Sequence, residues 1–142
     1  MDTIYIKPKD FERKWYIVDA TGLTLGRVAT KVAYVLAGKN KAHYVPYHEC
    51  GDYVIIINAE KIVVTGRKAD GKVYYQHSRH PGGLKTYTFA KMLQRRPEYP
   101  LEQAVRGMLP KTRLGRKLFT NLKVYVGSNH PHSAQQPQPL EI

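Results

Sequence analysis

A chain of 142 residues has room for one proper core, and its 42% hydrophobic and 24% charged residues describe a folded domain, not a disordered one. Its 23 Lys and Arg outnumber 11 Asp and Glu, and the resulting charge of +12 opposes compaction by self-repulsion and points to a polyanionic partner. The longest purely apolar run, Val54-Ile55-Ile56-Ile57, is far short of the roughly 20 residues of a membrane span. Met1-Asp2-Thr3-Ile4 carries no secretion-signal pattern, and the single cysteine, Cys50, excludes an internal disulfide framework. These features predict a soluble, intracellular domain over 1–142, with an arm at 1–14, a globular core at 15–127 and an extended tail at 128–142.

After the arm, Trp15-Tyr16-Ile17-Val18-Asp19-Ala20 reads as a buried strand, aromatic and β-branched, broken at Thr21-Gly22. A helix is predicted over 25–37. Leu25, Val28, Ala29, Val32, Val35 and Leu36 share one face of it, while Arg27, Lys31 and Tyr34 fall opposite. Thr24 is placed to cap its start, and Gly38, lacking the Cβ that penalises a left-handed residue, to end it. The continuous apolar run Tyr53-Val54-Ile55-Ile56-Ile57 suits a central strand covered on both faces. A third run, Lys61-Ile62-Val63-Val64-Thr65, ends at Gly66. Strand, helix and buried strand in succession predict an α/β layered domain with a mainly parallel sheet.

Beyond Gly66, Asp70-Gly71 signals a turn, Val73-Tyr74-Tyr75 a strand and Pro81-Gly82-Gly83 a loop. Helical pieces follow near 88–94 and 101–108, bounded by Pro97, Pro100 and Pro110. A last helix is predicted over about 113–122, then a strand at Val124-Tyr125-Val126 closed by Gly127. The tail from Ser128, rich in Pro, Gln and His, reads as extended.

The cations are unevenly placed. Between Glu60 and Glu98 the only acid is Asp70, against nine Lys and Arg that include Arg67, Lys68, Arg95 and Arg96. Between Glu102 and Glu141 there is no acid, against six cations: Arg106, Lys111, Arg113, Arg116, Lys117 and Lys123. In the last helix Leu114, Leu118, Phe119 and Leu122 form an apolar side, and Arg113, Arg116 and Lys117 cluster within about 100° on the other. A merely solvated face normally intersperses acids, so 38 acid-free residues favour phosphate contact instead. Arg forks two hydrogen bonds to one phosphate, and Lys supplies a mobile point charge. Arg27, Lys39 and Lys41 add predicted contacts from the first half.

Leu25-Gly26-Arg27 and Leu114-Gly115-Arg116 each stand at the first turn of a helix, where unpaired N–H groups attract anions. A glycine there either admits a phosphate or permits close packing. The two readings are even for Gly26; phosphate is favoured for Gly115, among three cations. The segment His77-Ser78-Arg79-His80-Pro81-Gly82-Gly83-Leu84-Lys85 is a flexible cationic loop. Its double glycine, Gly82-Gly83, allows close approach, and Arg79, His80 and Lys85 suit phosphate, a 2′-OH or an unstacked base. Tyr44, Tyr47, Tyr74, Tyr75 and Tyr87 sit among the cations, but tyrosine serves cores and strands equally.

Enzyme signatures are weak. His48-x-Cys50 and His130-x-His132 lack structural-zinc spacing, so no metal site is predicted. Thr21-Gly22-Leu23-Thr24-Leu25-Gly26 lacks the third glycine of a dinucleotide fingerprint, and no cofactor is predicted. Glu49 and Asp52, the nearest acid pair to suit a two-metal nuclease, flank a turn. Two alternatives to a structural RNA binder stand: a nucleic-acid-processing enzyme centred on His80, His130 or Cys50, and a DNA-binding regulator with a recognition helix.

Val105-Arg106-Gly107-Met108-Leu109-Pro110, Leu114-Gly115-Arg116 and Leu122-Lys123-Val124-Tyr125-Val126-Gly127 resemble the signature of the bacterial-type large-subunit ribosomal protein thirteen family. Trp15-Tyr16-Ile17-Val18-Asp19-Ala20-Thr21-Gly22, Gly51-Asp52-Tyr53, Ile57-Asn58-Ala59-Glu60-Lys61 and Ala134-Gln135-Gln136-Pro137 are similar to further blocks, in order over nearly the whole chain. The resemblance implies a three-layer α/β/α domain with a parallel, four-stranded sheet. It implies binding to large-subunit (23S) rRNA early in subunit assembly, beside neighbouring large-subunit proteins, with no enzymatic activity, small-molecule substrate or membrane. The segments 79–85 and 107–117 would lie against RNA. Where the family often has Asp-Thr this chain has Glu49-Cys50, which weakens any essential role for Cys50 and leaves the RNA reading intact. The tail has a bacterial or organellar look, and the bacterial cytoplasm is the favoured location.

Overall fold

The computed structural model describes residues 11–142. In chain order its elements begin with β1 (Trp15–Asp19), α1 (Leu25–Ala37), β2 (Tyr53–Ile57) and the one-turn α2 (Lys68–Gly71). The hairpin strands β3 (Val73–His77) and β4 (Leu84–Thr88) follow, then α3 (Phe89–Arg95), α4 (Tyr99–Met108) and α5 (Arg113–Thr120). The short strands β5 (Leu122–Val124) and β6 (Gln138–Pro139) come last.

Four strands form one sheet in the order β5-β2-β1-β6, every pairing parallel, so the expectation of an α/β domain with a mainly parallel sheet holds. Register assigns the faces. Trp15 lies opposite Tyr53 and Val54 opposite Leu122. Tyr16, Val18, Val54, Ile56, Leu122 and Val124 therefore share one side, by the alternation of side chains along a strand. That side joins the main core, where it meets Val28, Val32 and Leu36 of α1, Met92 of α3, Leu101 and Val105 of α4, and Leu118 of α5. On the other side Trp15 stacks on Tyr53 with ring centroids 4.4 Å apart, and His132 from the tail lies 5.1 Å from Trp15.

The tail is more structured than its composition suggests. A 3-10 turn at Ser133–Gln135 precedes β6, and the Leu140 N–H donates to the Ile17 carbonyl. The open edge of β1 supplies unpaired backbone groups, and the tail fills them as a fourth strand.

Several local expectations are corrected. The run 61–65 is not a strand: a 3-10 turn at Ala59–Lys61 follows left-handed Asn58, and a single bridge joins Val63 to Thr24. Thr24 occupies the cap position of α1, but its buried hydroxyl has no hydrogen-bond partner, and the neighbouring Leu25 N–H donates to the Val63 carbonyl. Asp70 and Gly71 close a helical turn instead of a simple reverse turn. The strand after α5 begins at Leu122, two residues before its expected start and directly after Asn121, which caps the helix. The strand β4, not foreseen, pairs antiparallel with the expected one, Val73 opposite Thr88.

The end of α1 shows why Gly38 and Gly51 are glycines. Gly38 has φ of 79°, and a Cβ on it would stand 2.7 Å from the Cys50 carbonyl carbon. A Cβ on Gly51 would lie 1.7 Å from the Leu36 carbonyl oxygen. Cys50 is fully buried there, with Val45 and His48 carbonyls near its sulfur, as a small core residue.

Tyr74 is buried edge-on to Tyr99, with centroids 5.7 Å apart, and its hydroxyl finds no partner. Burial, with a smaller contribution from Tyr99, pushes its pKa from 10.0 up to about 12. The folded state thus keeps the proton where the unfolded chain has lost it. This stability is fully present below pH 10 and declines as pH rises towards about 12. Tyr74→Phe should leave stability at neutral pH unchanged or raise it by about 1 kcal/mol, since it deletes an orphaned buried hydroxyl. It should also flatten the alkaline decline in urea unfolding. A clear loss at neutral pH would show that the hydroxyl is satisfied after all.

Candidate nucleic-acid interface

The α5 segment begins at Thr112, whose hydroxyl accepts the Gly115 N–H at 3.2 Å and so satisfies one of the helix's free donors. Its amphipathic pattern then separates the faces as expected: Leu118 is buried and Leu114 and Phe119 half-buried, while Arg113, Arg116 and Lys117 are exposed. Gly115 does not play the expected part. It is buried, a Cβ on it would stand 1.7 Å from the Pro110 carbonyl oxygen, and its N–H is occupied by Thr112. Close packing, not phosphate approach, explains this glycine. At Gly26 the reverse geometry holds: it is exposed and open space surrounds its Cβ direction.

Two of the predicted cations are engaged by acids that are remote in sequence. Lys117 Nζ lies 2.9 Å from Glu49 Oε2, and Arg13 reaches the same oxygen at 3.1 Å. Asn121 donates to Glu49 Oε1 at 2.9 Å. Burial pushes the Glu49 pKa upward, but the Asn121 and Lys117 hydrogen bonds and the two cations outweigh it and hold the carboxyl below its usual value. The stretch without acids along the chain is therefore not without acids in space. Lys41 is turned inward and half-buried. Its Nζ meets fully buried Asp52 at 2.6 Å and donates to the Glu12 carbonyl at 2.6 Å. It is corrected from a predicted RNA contact to the half-buried partner of a buried carboxylate.

The other predicted residues lie at several places on the surface. Arg106, Lys111 and Arg116 come together in a groove between α4 and α5, with Gln103 and Phe119. The hairpin joining β3 to β4 exposes Arg79, His80, Gly82 and Lys85. Its tip is tightly built: Arg79 has φ of 66° and Gly82 φ of 70°. The Arg79 N–H donates to His77 Nδ1 at 2.9 Å. Gly83 is the close-packed member of the glycine pair, with a Cβ position 2.0 Å from Ser78 Oγ. Arg95 stacks over Tyr87 at 5.0 Å and hydrogen-bonds its hydroxyl, and Arg96 stacks over Tyr99 at 5.7 Å; both cations remain exposed. Arg67 and Lys68 line a shallow groove around α2, and Lys123 is half-buried on edge strand β5.

Arg27 lines a groove with Lys31 and Tyr34, and Lys39 lines the next one. The sequence pattern puts Lys31 and Tyr34 on the polar face of α1 without marking them as contacts. The spacing of Arg27 and Lys31, four residues apart on one helix, is the signal that places them side by side. Among the described residues, no group of three or more His, Cys, Asp or Glu is arranged to hold a metal ion. No helix among them is long and apolar enough to cross a membrane.

A closely packed α/β domain that displays cations on helix faces, in grooves and on a tightly turned hairpin has the form of a structural protein with a cationic surface. The pattern of ribosomal protein L13 matches residues 13–131, and the chain belongs to that family. It is 58% identical over 140 residues to the large ribosomal subunit protein uL13 of Symbiobacterium thermophilum, covering 99% of this chain and 98% of that one. It is 57% identical to the protein of the same name from Aquifex aeolicus, over 100% of this chain and 99% of that one. Against the Vibrio atlanticus protein it is 56% identical over the full length of both. Membership of this family makes it structural, not enzymatic.

Proposed function

We propose that the chain is a structural constituent of the large ribosomal subunit, in the bacterial cytoplasm, that binds 23S rRNA beside neighbouring large-subunit proteins and supports early subunit assembly. The observation that carries this reading is the groove of Arg106, Lys111 and Arg116, with exposed Arg113 beside it on α5 and no Asp or Glu in its lining. Three guanidinium or ammonium groups, Arg106 from α4, Lys111 from the connection and Arg116 from α5, converge on one groove, which suits the neutralisation of phosphates where RNA helices meet. The remaining cations on the hairpin and around α2 extend the footprint over other strands of the same RNA.

Neutralising Arg113, Arg116 and Lys117 together should weaken binding to large-subunit rRNA more than neutralising Lys7, Lys9, Arg13 and Lys14. Lys7 and Lys9 lie outside the described residues, and Arg13 already serves Glu49. Within the first set, Arg113→Gln and Arg116→Gln should each cost more than Lys117→Gln, because Lys117 is shared with Glu49. Each lost phosphate contact should lower the slope of log affinity against log salt by about 1. Filter binding across a salt series measures both quantities. Equal losses from the two sets, or a flat salt dependence, would count against the reading.

A further inference from the structure

The grooves that hold these cations are continuous, and their floors are not built for phosphate. The groove at the start of α1 shares Thr30 and Tyr34 with a second groove between α1, the loop after it and the α4–α5 connection. The second shares Leu109 and Pro110 with the groove of Arg106, Lys111 and Arg116. No Asp or Glu side chain lines any of the three. Arg27 and Lys31 stand at one end of this belt, Lys39 in the middle, and Arg106, Lys111 and Arg116 at the other end.

The middle groove, of about 630 Å³, is mostly apolar: Ala33, Ala37, Met108, Leu114 and Leu118 form much of its wall. Two exposed aromatics line it, Tyr34 at 48% and Tyr44 at 38% exposure; exposed Tyr47 and Tyr75 do not line any of the three grooves. A duplex presents phosphates and sugars to such a surface and leaves the apolar floor unused. An unpaired nucleotide uses both parts, because its base seeks an aromatic face while its flanking phosphates seek cations. A second cationic protein would meet like charge at both ends of the belt.

We propose that this middle groove seats an unstacked base of a single-stranded or bulged RNA segment against Tyr34, with the flanking phosphates running out to Arg27 and Lys31 on one side and Arg106 and Lys111 on the other. The proposal deepens the RNA-binding reading and rests on it.

The test uses the full chain and two RNA duplexes, one fully paired and one carrying a single bulged 2-aminopurine, whose fluorescence falls on stacking. Wild-type protein should prefer the bulged duplex and quench its probe. Tyr34→Ala should lose about 5-fold to 100-fold in affinity for the bulged RNA, as base–aromatic stacking contacts do, and lose the quenching. Its affinity for the paired duplex should be unchanged, and Tyr34→Phe should keep both signals. Tyr34 is on the surface, and thermal melting checks that each variant is folded. If wild-type protein binds both RNAs with steep salt dependence but shows no bulge preference, or Tyr34→Ala retains it, this inference is overturned while the RNA reading stands. If wild-type binds neither RNA, both fall. Loss by Tyr34→Ala of binding to a purified large-subunit protein, with bulged-RNA binding intact, would make the groove a protein dock and likewise overturn it.

Discussion

Gly51→Ala is expected to destabilise the protein by more than about 3 kcal/mol. The added Cβ would stand 1.7 Å from the Leu36 carbonyl oxygen and 2.5 Å from its carbon. Neither atom can step aside. Leu36 lies in the last turn of α1, fully buried, and α1 packs on both β2 and α4. Relief would require lifting the lead into β2 away from the helix, which opens the central core. Gly26→Ala is the control. It adds the same methyl group to a helix position with open space around it, so it should gain about 0.5–1 kcal/mol by removing backbone freedom from the unfolded chain. Urea unfolding of the two variants beside the parent decides it. Near-equal midpoints for Gly51→Ala and wild type would sink the close-packing argument.

Lys41→Met should cost about 3–5 kcal/mol, because it leaves a buried carboxylate without its cation. Asp52 Oδ1 would keep the Lys14 N–H at 2.9 Å, while Oδ2 is already without a partner. The pair anchors three separate segments: the entry to β1 at Lys14, the loop after α1 at Lys41, and the entry to β2 at Asp52. Replacing both members with apolar residues should recover much of the loss, since the two charges no longer need each other. The salt slope of RNA binding should not change in Lys41→Met, although a surface cation has formally been removed. A fall in that slope with little loss of stability would return Lys41 to the interface.

Much of the architecture follows from pattern. The uninterrupted β-branched run Val54-Ile55-Ile56-Ile57 in β2 and the apolar stripe of α1 are local consequences of side-chain type and period, and the structure realises both. Less legible was the hairpin. β4 reads Leu-Lys-Thr-Tyr-Thr with its first three residues exposed, so burial leaves little trace in its sequence. β5 is only three residues long, too short for alternation to mark its start, and β6 contains a proline, which a pairing edge tolerates and a pattern does not announce.

The candidate interface divides in the same way. Separation of α5 into apolar and cationic faces depends only on helical period, and it holds. Which cations stay free depends on contacts between residues far apart in the chain. Glu49 reaches Lys117 across 68 positions, and Asp52 reaches Lys41 across a loop. Cys50 and Gly51 became core only because α1 ends against them.

Charge excess, strand and helix periods, and the ordered blocks of the ribosomal family were determined by the sequence alone, because each is a property of neighbours along the chain or of composition. Pairing of acids with cations, the reasons for Gly51 and Gly115, and the continuous belt through Tyr34 were decided only by the tertiary structure. Electrostatic partnership and close packing depend on distance in space, which the chain sets only once its layers have closed.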